Sequence, residues 1–74
     1  MKPLSKKWLK AGWSYDDGFT MEAYSRQGRE KQIVSLSLNR TMWNLTGFDR
    51  DGVPLYSIVY STREKAFKAA GENK

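Results

Sequence analysis

Hydrophobic and polar residues alternate along the middle of the chain, from Phe19 to Tyr60. Successive side chains of a β-strand point to opposite faces of a sheet, so this alternation predicts strands that are buried on one face. Short stretches of glycine, asparagine and aspartate interrupt the alternation three times, which is typical of tight turns. The pattern therefore predicts four antiparallel strands joined by three turns.

Each turn implies a register between the strands that it joins. A two-residue turn at Gln27-Gly28 places Met21 opposite Val34. A two-residue turn at Asn39-Arg40 then places Val34 opposite Leu45. A slip of one residue would expose these large side chains and bury serines, so we expect these registers to be well determined.

The third turn gives a register that selects the same face. A four-residue loop at Asp49–Gly52 pairs Leu45 with Tyr56 and Trp43 with Ile58. Agreement between independent turns is a property of sequences that specify one fold. The expected core residues on this face, with one from the C-terminal helix, are Phe19, Met21, Val34, Leu36, Leu38, Trp43, Leu45, Tyr56, Ile58, Tyr60 and Phe67.

The segment before the meander predicts a short helix and a short strand. Pro3–Ala11 has the residues for one or two helical turns, and Gly12 is a suitable stop signal. Trp13–Tyr15 would add a fifth strand, joined to the next by a type I′ turn at Asp17-Gly18.

The segment after the meander predicts a second helix, over Thr62–Ala70. Ser61 and Glu64 have the spacing of a capping box, in which the Ser61 hydroxyl accepts from the Glu64 amide. Gly71 is the expected stop signal. The sequence thus predicts one α+β domain over residues 1–74: a basic segment 1–11, a four- or five-stranded antiparallel meander over 13–60, a helix over 62–70 packed on one face, and a frayed tail over 71–74.

The residue types that are missing exclude several kinds of chemistry. The chain has no cysteine and no histidine, which removes thiolates, disulfides, the commonest general base and the commonest metal ligand. The two acidic pairs, Asp16/Asp17 and Asp49/Asp51, both lie in predicted turns. We therefore expect no enzyme, no catalytic residue, no cofactor and no metal site.

Two further absences bear on where the protein works. No apolar run approaches the length that spans a bilayer, and the N-terminus lacks the apolar region of a signal peptide. We expect no membrane partner and a cytoplasmic location, in a bacterial or phage setting.

The net charge of +5 is unevenly distributed, since residues 1–11 contain four lysines and no acidic residue. A small basic domain suggests a polyanionic or acidic partner. Tyr24 would stack on a base from the second face of the sheet, which is the face opposite the helix. The residues expected to contact nucleic acid or another partner are Tyr24, Arg26, Arg29, Lys31, Ser35, Ser37, Arg40, Asn44 and Thr46, together with Lys6, Lys7, Trp8 and Lys10.

One stretch has the order of elements found in known DNA-binding domains. From Trp43 to Ala66, a strand and a glycine-containing turn lead to a second strand, a threonine near the helix start and an alanine-rich helix. This stretch resembles the arm-binding domains of tyrosine recombinases and the plant AP2 domain. The resemblance implies a sheet that docks on DNA.

Two functions follow from these observations. The first is a non-enzymatic module that binds nucleic acid, most naturally DNA, through the second face and the basic hairpin tips. The alternative is a protein-binding inhibitor or adaptor of the phage or mobile-element type, which uses the second face or an edge strand and binds an acidic protein surface. A homodimer through Met42, Leu55 and Val59 is compatible with the same surface.

Overall fold

The computed structural model describes residues 4–28 and 30–72 and is an α+β fold. One antiparallel sheet has the order β1-β2-β3-β4-β5, so every strand pairs with its neighbours in sequence. The elements are α1 (Lys6–Lys10), β1 (Ser14–Tyr15), β2 (Ala23–Gln27), β3 (Lys31–Leu36), β4 (Trp43–Phe48), β5 (Pro54–Tyr60) and α2 (Arg63–Glu72). The predicted fold class is confirmed, and the fifth strand is present. No helix among the described residues is both long enough and apolar enough to cross a membrane.

Helix α1 (Lys6–Lys10) is closed by a Schellman motif at Gly12, the predicted stop signal. Gly12 has a φ of 100°, which is inexpensive only for glycine. Its N–H donates to the carbonyl of Leu9 at 3.1 Å, and the N–H of Trp13 donates to the carbonyl of Trp8 at 3.1 Å. This reversal sends Trp13 back into the core, where it is buried.

Helix α2 packs on the sheet through Ala66, Phe67 and Ala70, all of which are buried. It begins one residue later than predicted, because Thr62 is the N-cap: its Oγ1 accepts from the amide of Lys65 at 3.1 Å. The prediction that Gly71 stops the helix and starts a frayed tail is wrong, since the helix continues to Glu72. Residues 73–74 and 1–3 lie outside the described residues.

The predicted register of the first hairpin is wrong by three residues. Tyr24, not Met21, lies opposite Val34, and Gln27 pairs with Lys31. Because the shift is odd, the two faces of β2 are exchanged relative to the prediction. The observed register buries the large ring of Tyr24 on the helix side, where the predicted one would have placed Met21 and Ala23; Ala23 is also buried, but on the opposite face.

The connection before β2 is also longer than predicted. Asp17 and Gly18 do not have the positive φ values of a type I′ turn. Instead, the Asp16 N–H donates to the carbonyl of Ala23 at 2.9 Å, and Asp16 Oδ1 accepts from the Gly18 N–H at 2.9 Å. Phe19 lies in this connection and is 43% exposed, so its predicted place in the core is wrong.

The other two registers keep the predicted faces. Val34 lies opposite Leu45, which confirms the second register. In the third, Leu45 lies opposite Ile58 and not Tyr56, a shift of two residues that accompanies an irregularity at Gly47/Phe48. An even shift leaves the side chains from Tyr56 to Tyr60 on their predicted faces.

The core is a cluster of aromatic and small residues between α2 and the centre of the sheet. Val34, Leu45 and Phe67 are buried as predicted, and Trp43, Tyr56 and Tyr60 pack against them half-buried. Trp13 and Tyr24 are also buried there, although the sequence pattern did not indicate it. Besides Phe19, two expected core residues are wrong: Leu38 is 88% exposed because it lies in the β3–β4 turn, and Ile58 is 41% exposed because it lies on the edge strand. The buried cluster comprises Trp13, Tyr24, Val34, Leu45, Ala66, Phe67 and Ala70.

Candidate binding surfaces

A polar cluster joins the N-terminal end of α2 to the sheet. Arg63 is 8% exposed, and its Nη1 donates to the hydroxyl of Tyr24 at 2.9 Å. The Tyr24 hydroxyl in turn donates to Glu22 Oε2, which lies 3.9 Å from Arg63 Nη1. Burial, and then the hydrogen bond to Glu22, raise the pKa of Tyr24 to about 12.

A second cluster joins the C-terminal end of α2 to the sheet. Arg26 Nη2 and Gln32 Nε2 both donate to the carbonyl of Ala70, each at 3.2 Å. Gln32 Nε2 also donates to the Tyr56 hydroxyl at 2.9 Å, and the Arg26 guanidinium lies 5.1 Å from the centroid of the Trp13 ring. A cation at this position satisfies a terminal helix carbonyl and complements the helix dipole.

These clusters correct two predicted contact residues. Tyr24 was expected on the exposed second face but is 1% exposed on the helix side, because the register of β2 is shifted. Arg26 was expected at a hairpin tip, but its guanidinium is held by Gln32 and Ala70, and burial lowers its pKa. Both side chains attach α2 to the sheet.

Three predicted residues do lie together on the second face. Ser35 is directly opposite Asn44, and Thr46 follows two residues further along β4. All three are half-buried, and Thr46 Oγ1 is 3.4 Å from Ser57 Oγ. Ser37 is used in the β3–β4 turn, where its hydroxyl donates to Asn39 Oδ1 at 2.5 Å. The second face is thus a short polar strip, but the predicted cations do not lie along it.

The cations expected at the hairpin tips are separated. Lys31 begins β3, whereas Arg40 lies in the turn beyond its other end, so the length of the strand, roughly 20 Å, lies between them. Arg29 lies outside the described residues. An open depression of ≈ 300 Å³ beside Lys31 contains charges of both signs, and its lining is Gln27, Lys31, Ile33, Phe48, Asp49, Arg50 and Gly52.

A larger concentration of positive charge lies on the helix side of the molecule. The Trp8 ring packs against Phe67 with 5.1 Å between ring centroids, which places α1 beside α2. Trp8 is half-buried there, and Lys7 Nζ lies 4.7 Å from the centroid of its ring. The two helices together present an exposed group that we name the lysine surface: Lys6, Lys7, Lys10, Lys65 and Lys68.

Two members of the lysine surface, Lys65 and Lys68, were not singled out from the sequence. Their position on the predicted helix, opposite the buried side formed by Ala66 and Phe67, indicates that they are exposed. That α1 lies next to them depends on a contact between Trp8 and Phe67, which are far apart in sequence. The sequence alone does not show such a contact.

The acidic residues have structural roles in turns. Asp49 Oδ1 accepts from the amides of Asp51 and Val53, both at 2.9 Å, and Asp16 holds the Gly18 amide in the same way. Within residues 4–28 and 30–72, no three side chains of histidine, cysteine, aspartate or glutamate are grouped so as to hold a metal ion.

Comparisons of the chain with protein-family models, with curated proteins and with solved structures gave no match.

Proposed function

We propose that this chain is a non-enzymatic module that binds nucleic acid through its lysine surface, with duplex DNA as the first ligand to test. The observation that carries the proposal is the packing of Trp8 on Phe67, which places the lysine-bearing helix α1 beside α2. The lysine surface replaces the second face as the main contact, because Tyr24 and Arg26 are engaged in attaching α2.

The charge balance of the helix side favours a polyanion. Its exposed acids are Glu64 and Glu72, and Glu64 Oε2 accepts from Arg63 Nε at 3.0 Å. Five lysines therefore face two glutamates, one of which is already paired. Lysine ammonium groups on flexible stems contact phosphates as point charges and carry little sequence information. We expect binding that is strongly salt-dependent and weakly sequence-dependent.

Salt titration tests this proposal. Anisotropy of a fluorescently labelled duplex gives the association constant as NaCl is raised. If the five lysines each neutralise a phosphate, the logarithm of that constant falls with the logarithm of salt with a slope of about −4 to −5. A single strand of the same length, measured in parallel, shows whether the duplex is preferred.

Two variants of equal charge separate the lysine surface from the hairpin tips. The first is Lys6→Gln/Lys10→Gln/Lys68→Gln, and the second is Lys31→Gln/Arg40→Gln/Arg50→Gln. We expect the first to reduce the slope by about 3 units and the second to change it much less. Equal losses would show that only net charge matters, and no binding to either strand form at low salt would remove the proposal.

Protein binding is the second candidate function, and one observation favours it. Strand β5 lies at the edge of the sheet, and most of its side chains are exposed. An open edge of this kind is a site where another strand can add.

A further inference from the structure

Strand β5 forms a long open edge. In the part of the chain that the structure describes, nothing pairs with its outer side. It spans Pro54–Tyr60, whereas the opposite edge strand, β1, has only two residues. Very short edge strands are a common protection against unwanted pairing, so β1 is protected in this way and β5 is not.

The hydrogen bonds of β3 show which backbone N–H and C=O groups of β5 point towards β4 and which point outward, because the alternation continues from strand to strand. The Leu36 N–H donates to the carbonyl of Glu22 at 2.8 Å, while the Ser37 N–H donates to the carbonyl of Met42 at 2.8 Å. Successive residues of an antiparallel strand thus bond to opposite neighbours. Even-numbered residues of β3 bond towards β2, and odd-numbered residues bond towards β4.

The same alternation carries through β4 to the edge. Odd-numbered residues of β4 bond towards β5, and the residues opposite them in β5 are even-numbered: Tyr56, Ile58 and Tyr60. The backbone N–H and C=O groups of Ser57 and Val59 therefore point away from β4. The alternation ends at the irregularity next to Leu55, beyond which the Asp49 N–H donates to the carbonyl of Val53 at 3.0 Å.

Pro54 and the irregularity beside it protect the start of β5, but the other devices that block an edge are missing from the strand. Residues 53–60 contain no charged side chain. Val53, Leu55 and Val59 are 54%, 50% and 53% exposed, so the edge is flanked by apolar surface. A long, apolar and uncharged edge is a pairing template unless a partner covers it.

We propose that β5 pairs antiparallel with β5 of a second copy of this chain, about a two-fold axis at Ser57. Ser57 is the middle residue of β5 and its backbone groups point outward, and Leu55 and Val59 lie two residues away on either side. In this register Leu55 lies opposite Val59 of the second copy, and Tyr56 lies opposite Ile58 of the second copy, so the edge is complementary to itself.

The charge distribution also favours a second copy as the partner. Each chain has a net charge of +5, but the positive side chains of the lysine surface lie on the helices and none lies on β5. Two copies can therefore pair their neutral edges with no like charges in the contact. A single pair of strands is at the small end of interface sizes, below about 1,200 Å² in total, so we expect micromolar affinity.

The dimer would have a ten-stranded sheet, twice the five strands of one copy. The two-fold axis of an antiparallel strand pair is perpendicular to the sheet, so both copies of α2 lie on the same side. Two lysine surfaces would then face one ligand together. This last consequence rests on the proposed function, whereas the dimer itself does not.

Analytical ultracentrifugation over a range of protein concentrations, without nucleic acid, tests the dimer. We expect the average mass to rise from 8.6 kDa towards twice that value. Ser57→Lys places two lysines opposite each other at the two-fold axis and should weaken association at least tenfold. Ser14→Lys adds the same charge at the exposed β1 edge and should leave association unchanged.

Mixing two variants tests the position of the axis. The Ser57→Asp variant alone should also be monomeric, because it places two like charges at the axis. An equimolar mixture of the Ser57→Lys and Ser57→Asp variants should form a heterodimer.

Cross-linking gives a second test of the axis. Because the chain has no cysteine, Ser57→Cys gives a single thiol. Opposed Cα atoms in a hydrogen-bonded pair are about 5.5 Å apart, which suits a disulfide. We expect rapid cross-linking of Ser57→Cys and slow cross-linking of Ser14→Cys.

Circular dichroism of each variant confirms that loss of association is not loss of folding. A mass of 8.6 kDa at every concentration, or equal cross-linking of the two cysteine variants, would overturn the proposal. Association that persists in Ser57→Lys would equally exclude this register.

Discussion

At Gly47 the sheet has no room for a side chain, because the ring of Tyr56 on the neighbouring strand lies across it. A Cβ at this position would lie 2.4 Å from Tyr56 Cε2 and Cζ. The ring has little freedom to move, since the Tyr56 hydroxyl accepts a hydrogen bond from Gln32. We expect Gly47→Ala to lower the free energy of unfolding by about 1–3 kcal/mol, as measured by urea denaturation.

Gly71 provides the matched control. It lies within α2, and a Cβ there would meet no atom within 4 Å. Alanine has a higher helix propensity than glycine, so Gly71→Ala should raise the free energy of unfolding by about 0.5–1 kcal/mol. If both substitutions had the same sign, the contact between Gly47 and Tyr56 would not be the cause.

Because of Tyr24, the free energy of unfolding depends on pH in the alkaline range. Burial raises its pKa from 10.0 to about 12 in the folded state, so the unfolded chain loses the proton first. The stability that Tyr24 contributes is complete below about pH 10 and is lost as the pH rises towards 12. We expect Tyr24→Phe to be less stable at pH 7, because Arg63 and Glu22 lose a shared partner.

The pH dependence of the difference is the decisive measurement. Phenylalanine has no proton to lose, so the gap in the free energy of unfolding between wild type and Tyr24→Phe should narrow between pH 10 and pH 12. Chemical denaturation at several pH values in this range measures that gap. A constant gap would contradict the role of the buried phenol.

Among the elements, α2 offers a direct test of where its first turn begins. Thr62 Oγ1 accepts from the Lys65 amide at 3.1 Å, whereas Ser61 Oγ accepts only from the Lys65 ammonium among the bonds that the structure shows for it. Loss of an N-cap costs about 1 kcal/mol. We expect Thr62→Ala to cost about that much and Ser61→Ala less than about 0.5 kcal/mol. If Ser61→Ala lowered the free energy of unfolding more than Thr62→Ala in urea denaturation, Ser61 would be the N-cap, as the sequence predicted.

The strands show how far the sequence determines the sheet. The register of β3 with β4 was predictable because Val34 and Leu45 face one side while serines face the other. A slip of one residue would bury those serines, and the turn at Asn39-Arg40 selects one of the remaining registers. The register of β2 was not predictable. Its alternation is equally regular in two registers, and the choice depends on contacts of Tyr24 with Phe67 and Arg63, far along the chain.

The candidate surface was predictable only in part for the same reason. Lys6, Lys7 and Lys10 stand out as a basic run without acids. They belong to the same surface as Lys65 and Lys68 only because α1 packs beside α2, which is a tertiary contact. Local patterns identify exposed charges, but they do not show which exposed charges are neighbours.

On the scale of the whole molecule, the three surfaces of interest lie in different directions. The lysine surface covers the helix side, the polar strip with Ser35 and Asn44 lies on the second face, and the open edge runs along β5. Ser57 of the open edge also lies 3.4 Å from Thr46 of the polar strip, so these two surfaces share a contact. Substitutions in the lysine surface leave the β5 edge intact, and nucleic-acid binding and dimer formation can be measured separately.

The concentration of charge on the helix side also affects stability. Like charges repel, and salt screens this repulsion with a Debye length of about 10 Å at 0.1 M. We therefore expect the Tm to rise by about 2–5 °C between low salt and 0.5 M NaCl, because a small electrostatic gain shifts the Tm of a domain this size appreciably. Binding to DNA should fall over the same range.

The two triple variants locate the source of this salt effect. Lys6→Gln/Lys10→Gln/Lys68→Gln removes three of the five charges of the lysine surface, so its Tm should be higher at low salt and should rise less as salt is added. Lys31→Gln/Arg40→Gln/Arg50→Gln removes the same charge elsewhere: Lys31 and Arg50 share a depression with Asp49, and Arg40 lies in the β3–β4 turn. This variant should keep the wild-type dependence. Differential scanning calorimetry of the three proteins, at a concentration where each is monomeric, measures the effect. A Tm that falls with salt in the wild type would show that attractive pairs outweigh repulsion on this surface.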